Sequence, residues 1–169
     1  MSQALSRRNF LQGAAAAVVM AGASSAPAQG FGSSRFVYVG TYTAGSGNGE
    51  GIYLYQVNAF TGELTLVKLA AAVPDPSFVL ASPSGKYLYC TNEISNFQGS
   101  TSGSVTAFSV DRSNGELTLL NTVSSLGGGP VYLSLDQTGM YLFVANYGGG
   151  SNAVFPVNAD GSLSAAVDT

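Results

Sequence analysis

Pro130-Val131-Tyr132-Leu133-Ser134-Leu135-Asp136-Gln137-Thr138-Gly139-Met140-Tyr141-Leu142-Phe143-Val144-Ala145-Asn146-Tyr147 reads as a short strand, a tight turn over Asp136 to Gly139, and a second strand that ends in a polar pair. Fifty-four residues earlier, Pro76-Ser77-Phe78-Val79-Leu80-Ala81-Ser82-Pro83-Ser84-Gly85-Lys86-Tyr87-Leu88-Tyr89-Cys90-Thr91-Asn92-Glu93 has the same layout. Pro76 answers Pro130, Gly85 answers Gly139 and Asn92 answers Asn146. A second echo, Gly62-Glu63-Leu64-Thr65-Leu66 against Gly115-Glu116-Leu117-Thr118-Leu119, has a spacing of 53. A period of this length built only from strands predicts propeller blades, each one antiparallel sheet set around a central channel.

Working outward, the pattern predicts eleven strands and no helix. Phe36 to Thr43, Ile52 to Val57 and Leu64 to Val67 come first, rich in β-branched and aromatic residues. Ser77 to Ala81, Lys86 to Asn92, Ser104 to Val110 and Leu117 to Thr122 make a four-stranded unit. Val131 to Leu135, Met140 to Asn146, Asn152 to Val157 and Leu163 to Val167 make the next, closed by the turn chemistry of Asp160-Gly161. The expected blades are about residues 35–70, 74–123 and 129–167. Charged residues make up 9% of the chain, which suits sheets covered on both faces by neighbours. Propellers close with about four to eight blades, so an all-β chain offering about three blades of four-stranded antiparallel sheet reads as the N-terminal portion of a larger ring, lacking an innermost strand in its first unit.

Residues 1–28 read as an address. Ser6-Arg7-Arg8-Asn9-Phe10-Leu11, an apolar run from Ala14 to Ala23 and Ala26-Pro27-Ala28 supply the three parts of an export signal in order, and the paired arginines point to the twin-arginine route. The run is short of the roughly 20 apolar residues of a membrane span, so cleavage after Ala28 with no lasting membrane insertion is expected. The expected location is periplasmic or secreted, with the twin-arginine machinery as the export partner. Residues 29–169 then hold four basic and nine acidic residues, a net charge of minus five. Arg35, Lys68, Lys86 and Arg112 are too scattered to build the basic face that nucleic acid requires.

The chain has one cysteine and no histidine. An internal disulfide is therefore impossible, and Cys90, set in an apolar run, reads as a small buried hydrophobe. Imidazole-dependent nucleophiles and imidazole-bound zinc have no residue to use. No metal or other cofactor is expected.

Three stretches carry a family resemblance: Val39-Gly40-Thr41-Tyr42-Thr43; Gly51-Ile52-Tyr53-Leu54-Tyr55 with Thr61-Gly62-Glu63-Leu64; and Val144-Ala145-Asn146-Tyr147-Gly148-Gly149-Gly150-Ser151 with Ala153-Val154-Phe155-Pro156 and Asp160-Gly161-Ser162-Leu163. In order and spacing they resemble the seven-bladed lactonases of the 6-phosphogluconolactonase type, over about Arg35 to Val167. The resemblance implies metal-independent hydrolysis of a sugar lactone to its acid, a carbohydrate-metabolism activity in which water attacks the ring carbonyl. It also implies that the family's histidine, arginines and glutamate lie in later blades, beyond Thr169. Such a site needs a base for the water and donors for the developing oxyanion.

Within the 169 residues, the second strands end in Thr41-Tyr42, Asn92-Glu93 and Asn146-Tyr147. Equivalent strand ends share one rim of a propeller, where a small-molecule lactone or sugar acid would bind. Thr41, Tyr42, Asn92, Asn146 and Tyr147 are the expected substrate-binding residues. Glu93, the one acid among them, is the candidate to activate water, against a plain reading as a solvated rim carboxylate. Gly148-Gly149-Gly150 reads more simply as a hairpin needing positive φ than as a phosphate cradle, since no helix follows it. The rival to a lactonase is a non-catalytic binding propeller with Tyr-Val-Thr-Asn-like repeats, to which Lys86-Tyr87-Leu88-Tyr89-Cys90-Thr91-Asn92 also bears a likeness.

Overall fold

The computed structural model describes residues 14–20, 35–45 and 48–169. Arg7, Arg8 and the Ala26-Pro27-Ala28 exit lie outside the described residues. The described strands form three antiparallel sheets. The first contains β1 (Ala14–Met20), β2 (Arg35–Thr41), β3 (Ile52–Val57) and β4 (Leu64–Ala71); the second, β5 (Val79–Ala81), β6 (Tyr87–Asn92), β7 (Ser104–Asp111) and β8 (Glu116–Ser124); the third, β9 (Pro130–Leu135), β10 (Tyr141–Asn146) and β11 (Ser151–Pro156). A single 3-10 turn, Phe97–Gly99, is the only helical element among the described residues.

Two elements depart from the sequence reading. The apolar run of the expected leader is strand β1, paired antiparallel with β2 from Ala14↔Thr41 to Met20↔Phe36. It takes the place in the first sheet that β5 and β9 take in theirs, because the inner edge of β2 carries peptide groups that need a ladder partner. At the other end, Leu163 to Val167 is not a continuous strand. The segment meets β11 through isolated bridges, Val157↔Leu163 and Val154↔Asp168. Pro156 accepts from the Ser164 amide at 3.0 Å but has no N–H to return, so that pair makes one bond where a ladder makes two.

Side-chain alternation on β6 shows how the sheets stack. Leu88 and Cys90 pack with Tyr38, Ile52 and Leu54 of the first sheet, while Tyr89 packs the other way, against Leu133, Leu142, Val144 and Phe155 of the third. All of these are buried. A third cluster, Val37, Val39 and Tyr55, lies on the remaining face of the first sheet. The matching face of the third sheet is open: Tyr141 and Phe143 are exposed there.

A repeated cross-sheet bond sets the sheets against one another. The Tyr38 hydroxyl donates to the Gly115 carbonyl of the second sheet at 2.7 Å, and the Tyr89 hydroxyl to the Gly161 carbonyl of the third at 3.1 Å. Burial pushes the Tyr89 phenol up to about 12 and the Tyr38 phenol higher still, so both remain donors. Both acceptor residues must be glycine for two reasons. They sit at φ +77° and +87°, and a Cβ would strike Leu54 Cδ2 at 2.9 Å or Tyr87 Cδ1 at 2.2 Å, on the preceding sheet in each case. Asn121 adds a reciprocal pair to Leu163, donating to its carbonyl at 2.7 Å and accepting from its amide at 3.0 Å.

The asparagines that close β6 and β10 are also structural, and they differ in one respect. Asn92 donates to the Pro74 carbonyl and accepts from the Thr106 and Ser104 hydroxyls. Asn146 donates to the Ser125 carbonyl and to Ser151 Oγ, but its Oδ1 is the one buried side-chain polar atom without a partner among the described residues. The registers explain the difference: Cys90↔Thr106 in the second sheet becomes Val144↔Ala153 in the third. Ala153 has no hydroxyl to offer Asn146 Oδ1, so the donor that Thr106 supplies in the second sheet is lost.

At the hairpin tip, Asp136 accepts from the Thr138 hydroxyl and from the amides of Tyr141, Thr138 and Met140. These bonds hold its carboxyl at about 2, below its ordinary 3.8.

Three outcomes are expected. Tyr89→Phe should cost about 1 kcal/mol and Gly161→Ala more, read by denaturant unfolding of the full-length protein. In a double-mutant cycle, Val144→Cys with Ala153→Thr should show a favourable coupling of about 1 kcal/mol, since only the pair restores a donor to Asn146 Oδ1 without crowding. The stability that Asp136 adds is present above its unfolded value near 3.8 and is lost as pH falls through about 2; the gap between wild type and Asp136→Ala in acid titration should close over that window.

Candidate functional site

The repeat places the ends of β2, β6 and β10 at one rim, and the structure joins the first two directly. The Tyr42 hydroxyl donates to Glu93 Oε2 at 2.8 Å across the gap between sheets. Tyr42 is 41% exposed, so the pair is open to solvent at its edge. The hydrogen bond to Glu93 is the main cause that pushes the Tyr42 phenol above its ordinary value, with partial burial and the charges of Glu93 and Asp75 adding to it. The pair therefore consists of a carboxylate and a neutral phenol donor, with the second carboxylate oxygen left for a ligand or water.

The other expected rim residues separate into two groups. Tyr147 is 84% exposed at the end of β10. Thr41 turns its hydroxyl to the Gly51 carbonyl at 2.8 Å, fixing the loop between β2 and β3. Asn92 and Asn146 are buried at 1% and 2%, with their amides spent on the neighbouring main chain, so they brace the rim from beneath. The Gly149 and Gly150 amides of the Gly148-Gly149-Gly150 run are likewise engaged within the fold. Gly149 donates to Gly128 at 2.9 Å, Gly150 donates to Tyr147 at 3.3 Å, and Gly150 has φ +59°, which fits the hairpin reading. Cys90 is free and fully buried, with its thiol pushed up to about 12 by burial, which leaves it without nucleophilic character at neutral pH.

One rim residue escaped the sequence reading. Asp75, between Pro74 and Pro76, is 8% exposed. Its Oδ1 accepts from the Thr43 amide at 2.7 Å, the Ala44 amide at 2.9 Å and the Thr43 hydroxyl at 3.2 Å. Its carbonyl accepts from the Glu93 amide at 3.0 Å. The available signal was the repeat itself, which has Asp75 before Pro76 and Gly129 before Pro130.

Residues 36–169 match the family described as Lactonase, 7-bladed beta-propeller. The chain is 36% identical over 130 residues to a 6-phosphogluconolactonase of Bacillus subtilis (strain 168), an alignment that takes in 77% of this chain and 35% of that protein. It is 33% identical over 127 residues to a 6-phosphogluconolactonase of Formosa agariphila, covering 75% of this chain and 35% of the relative. Among solved structures, the periplasmic gluconolactonase PpgL of Pseudomonas aeruginosa superposes with a TM-score of 0.68 at 37% identity, over 80% of this chain and 38% of that one. The chain thus spans about a third of the length of the relatives it matches. Its stacked antiparallel sheets, their period and this match agree: the chain belongs to the seven-bladed β-propeller lactonase family.

Proposed function

We propose that the full-length protein is an exported lactonase that opens a sugar lactone to its acid. The family match over residues 36–169, with relatives named as lactonases, is the observation that carries this reading. The paired arginines at positions 7 and 8, and the likeness to a periplasmic gluconolactonase, favour an unphosphorylated lactone met outside the cytoplasm over the phosphorylated sugar. The same match favours a lactonase over a purely binding propeller.

In this reading the Tyr42–Glu93 pair forms one side of the site. Glu93 accepts the proton of a water that attacks the ring carbonyl, and Tyr42 holds the carboxylate in place through its donated hydrogen bond. The exposed ring of Tyr147 offers the sugar an apolar surface at the channel mouth. A carbonyl under attack also needs donors for its oxygen. The resemblance puts those groups in blades beyond Thr169.

The test is hydrolysis of glucono-lactone and its 6-phosphate by the full-length protein in a pH-stat. Glu93→Gln should lower kcat about 100-fold with little change in KM, and the unphosphorylated lactone should turn over faster. Equal turnover by wild type and Glu93→Gln would remove Glu93 from the chemistry. Failure to open any lactone would leave the binding propeller.

A further inference from the structure

We infer that Asp75 is a positioning residue that sets Tyr42 and Glu93 against each other across the gap between the first two sheets; this rests on the lactonase reading of that pair. Asp75 and Gly129 occupy the same place, each preceding a proline that leads into an inner strand. Both have positive φ, +40° and +56°. Both main-chain carbonyls accept the amide that follows the second strand, from Glu93 at 3.0 Å and from Tyr147 at 2.9 Å. The backbone task at this place is therefore met by glycine in the third sheet.

An aspartate held at positive φ is strained relative to glycine, and the residue after it, Pro76, narrows its choices further. The second sheet nevertheless has the carboxylate. Its Oδ1 gathers the Thr43 amide, the Thr43 hydroxyl and the Ala44 amide, while its own amide donates to Thr43 Oγ1 at 3.1 Å. Those contacts fix the chain next to Tyr42. The carbonyl of the same residue fixes the chain at Glu93. One residue thus grips both partners of the rim pair, the first by its side chain and the second by its backbone. In the third sheet Gly129 reaches the neighbouring segment by its amide alone, which donates to the Ile94 carbonyl at 3.0 Å, with no side chain to add to it. Asn92, donating to the Pro74 carbonyl at 2.9 Å, anchors the segment from below.

Asp75→Gly copies the third sheet: it keeps the backbone shape, relieves the strain and removes only the grip on Thr43 and Ala44. Asp75→Asn removes the charge and keeps an oxygen acceptor at the same place. Glu93 and Asp75 are the charged groups that bear on Tyr42. The readout is the titration of Tyr42 in full-length protein carrying 13Cζ-tyrosine, its resonance assigned with Tyr42→Phe, alongside kcat on the lactone and the thermal midpoint.

Asp75→Gly should hold or raise the midpoint, bring the Tyr42 titration down toward that of a free phenol, and lower kcat about tenfold. Asp75→Asn should stay near wild type in all three. An unmoved Tyr42 titration in Asp75→Gly overturns the proposal, as does an equal displacement in Asp75→Gly and Asp75→Asn, which would reduce the effect to charge alone. A displaced titration with unchanged kcat supports the positioning by Asp75 and overturns the catalytic reading of the Tyr42–Glu93 pair.

Discussion

A phenol on one sheet reaching a turn carbonyl on the next is the contact on which the arrangement of the blades depends. Stacked apolar sheets have little to fix their lateral offset, because area burial is non-directional. The Tyr38 to Gly115 and Tyr89 to Gly161 hydrogen bonds supply direction. Each is made from within an apolar cluster, where an unmatched hydroxyl would be costly, so a shifted stacking loses the bond and leaves a buried donor. The glycines make the same demand from the other side, since any Cβ there would collide with the preceding sheet. The exposed Lys68–Glu116 ion pair joins the first two sheets as well, but at a solvated edge such a pair adds little.

Much of this was legible in the sequence, because the informative positions recur. The echoes at spacings of 54 and 53 and the Asp160-Gly161 turn specify sheets, turns and period without knowledge of contacts. What could not be read is the partner of each side chain. Tyr89 and Tyr147 are both tyrosines in strand-like surroundings, yet one is sealed between sheets and the other stands in solvent. Asn92 and Asn146 look like rim ligands in a linear reading, but the pleat turns them inward, where their amides satisfy main-chain carbonyls. Asp75 was invisible for a different reason: its role comes from a loop 32 residues away in the chain.

Differences between repeats are more informative than their likeness. Where two sheets share a backbone task and differ in side chain, the task explains the shared part and the side chain must answer to something local. Thr106 against Ala153 is compensated by Cys90 against Val144, an exchange of volume within one buried pair at the expense of a hydrogen-bond donor. Asp75 against Gly129 is not compensated by volume, because the position is a turn and glycine is the less strained choice. The first exchange belongs to packing. The second places a carboxylate beside the Tyr42–Glu93 pair.

The same comparison bears on the two flanks. Phe143 stands where Tyr38 and Tyr89 stand in the earlier sheets, and it is exposed along with Tyr141. Phe143 has no hydroxyl, so that position can pack against a neighbour but cannot make the bond that Tyr38 and Tyr89 make. On the opposite flank, the inner edge of β2 is occupied by Ala14–Met20, six of whose residues have ladder partners. Those residues belong to the expected leader, so cleavage after Ala28 would strip the strand and leave a row of unpaired peptide groups beside a buried apolar cluster. Such an edge is costly in proportion to its length. Losing that strand would leave the first sheet three-stranded, as the third already is, with β2 as its inner edge in place of β1.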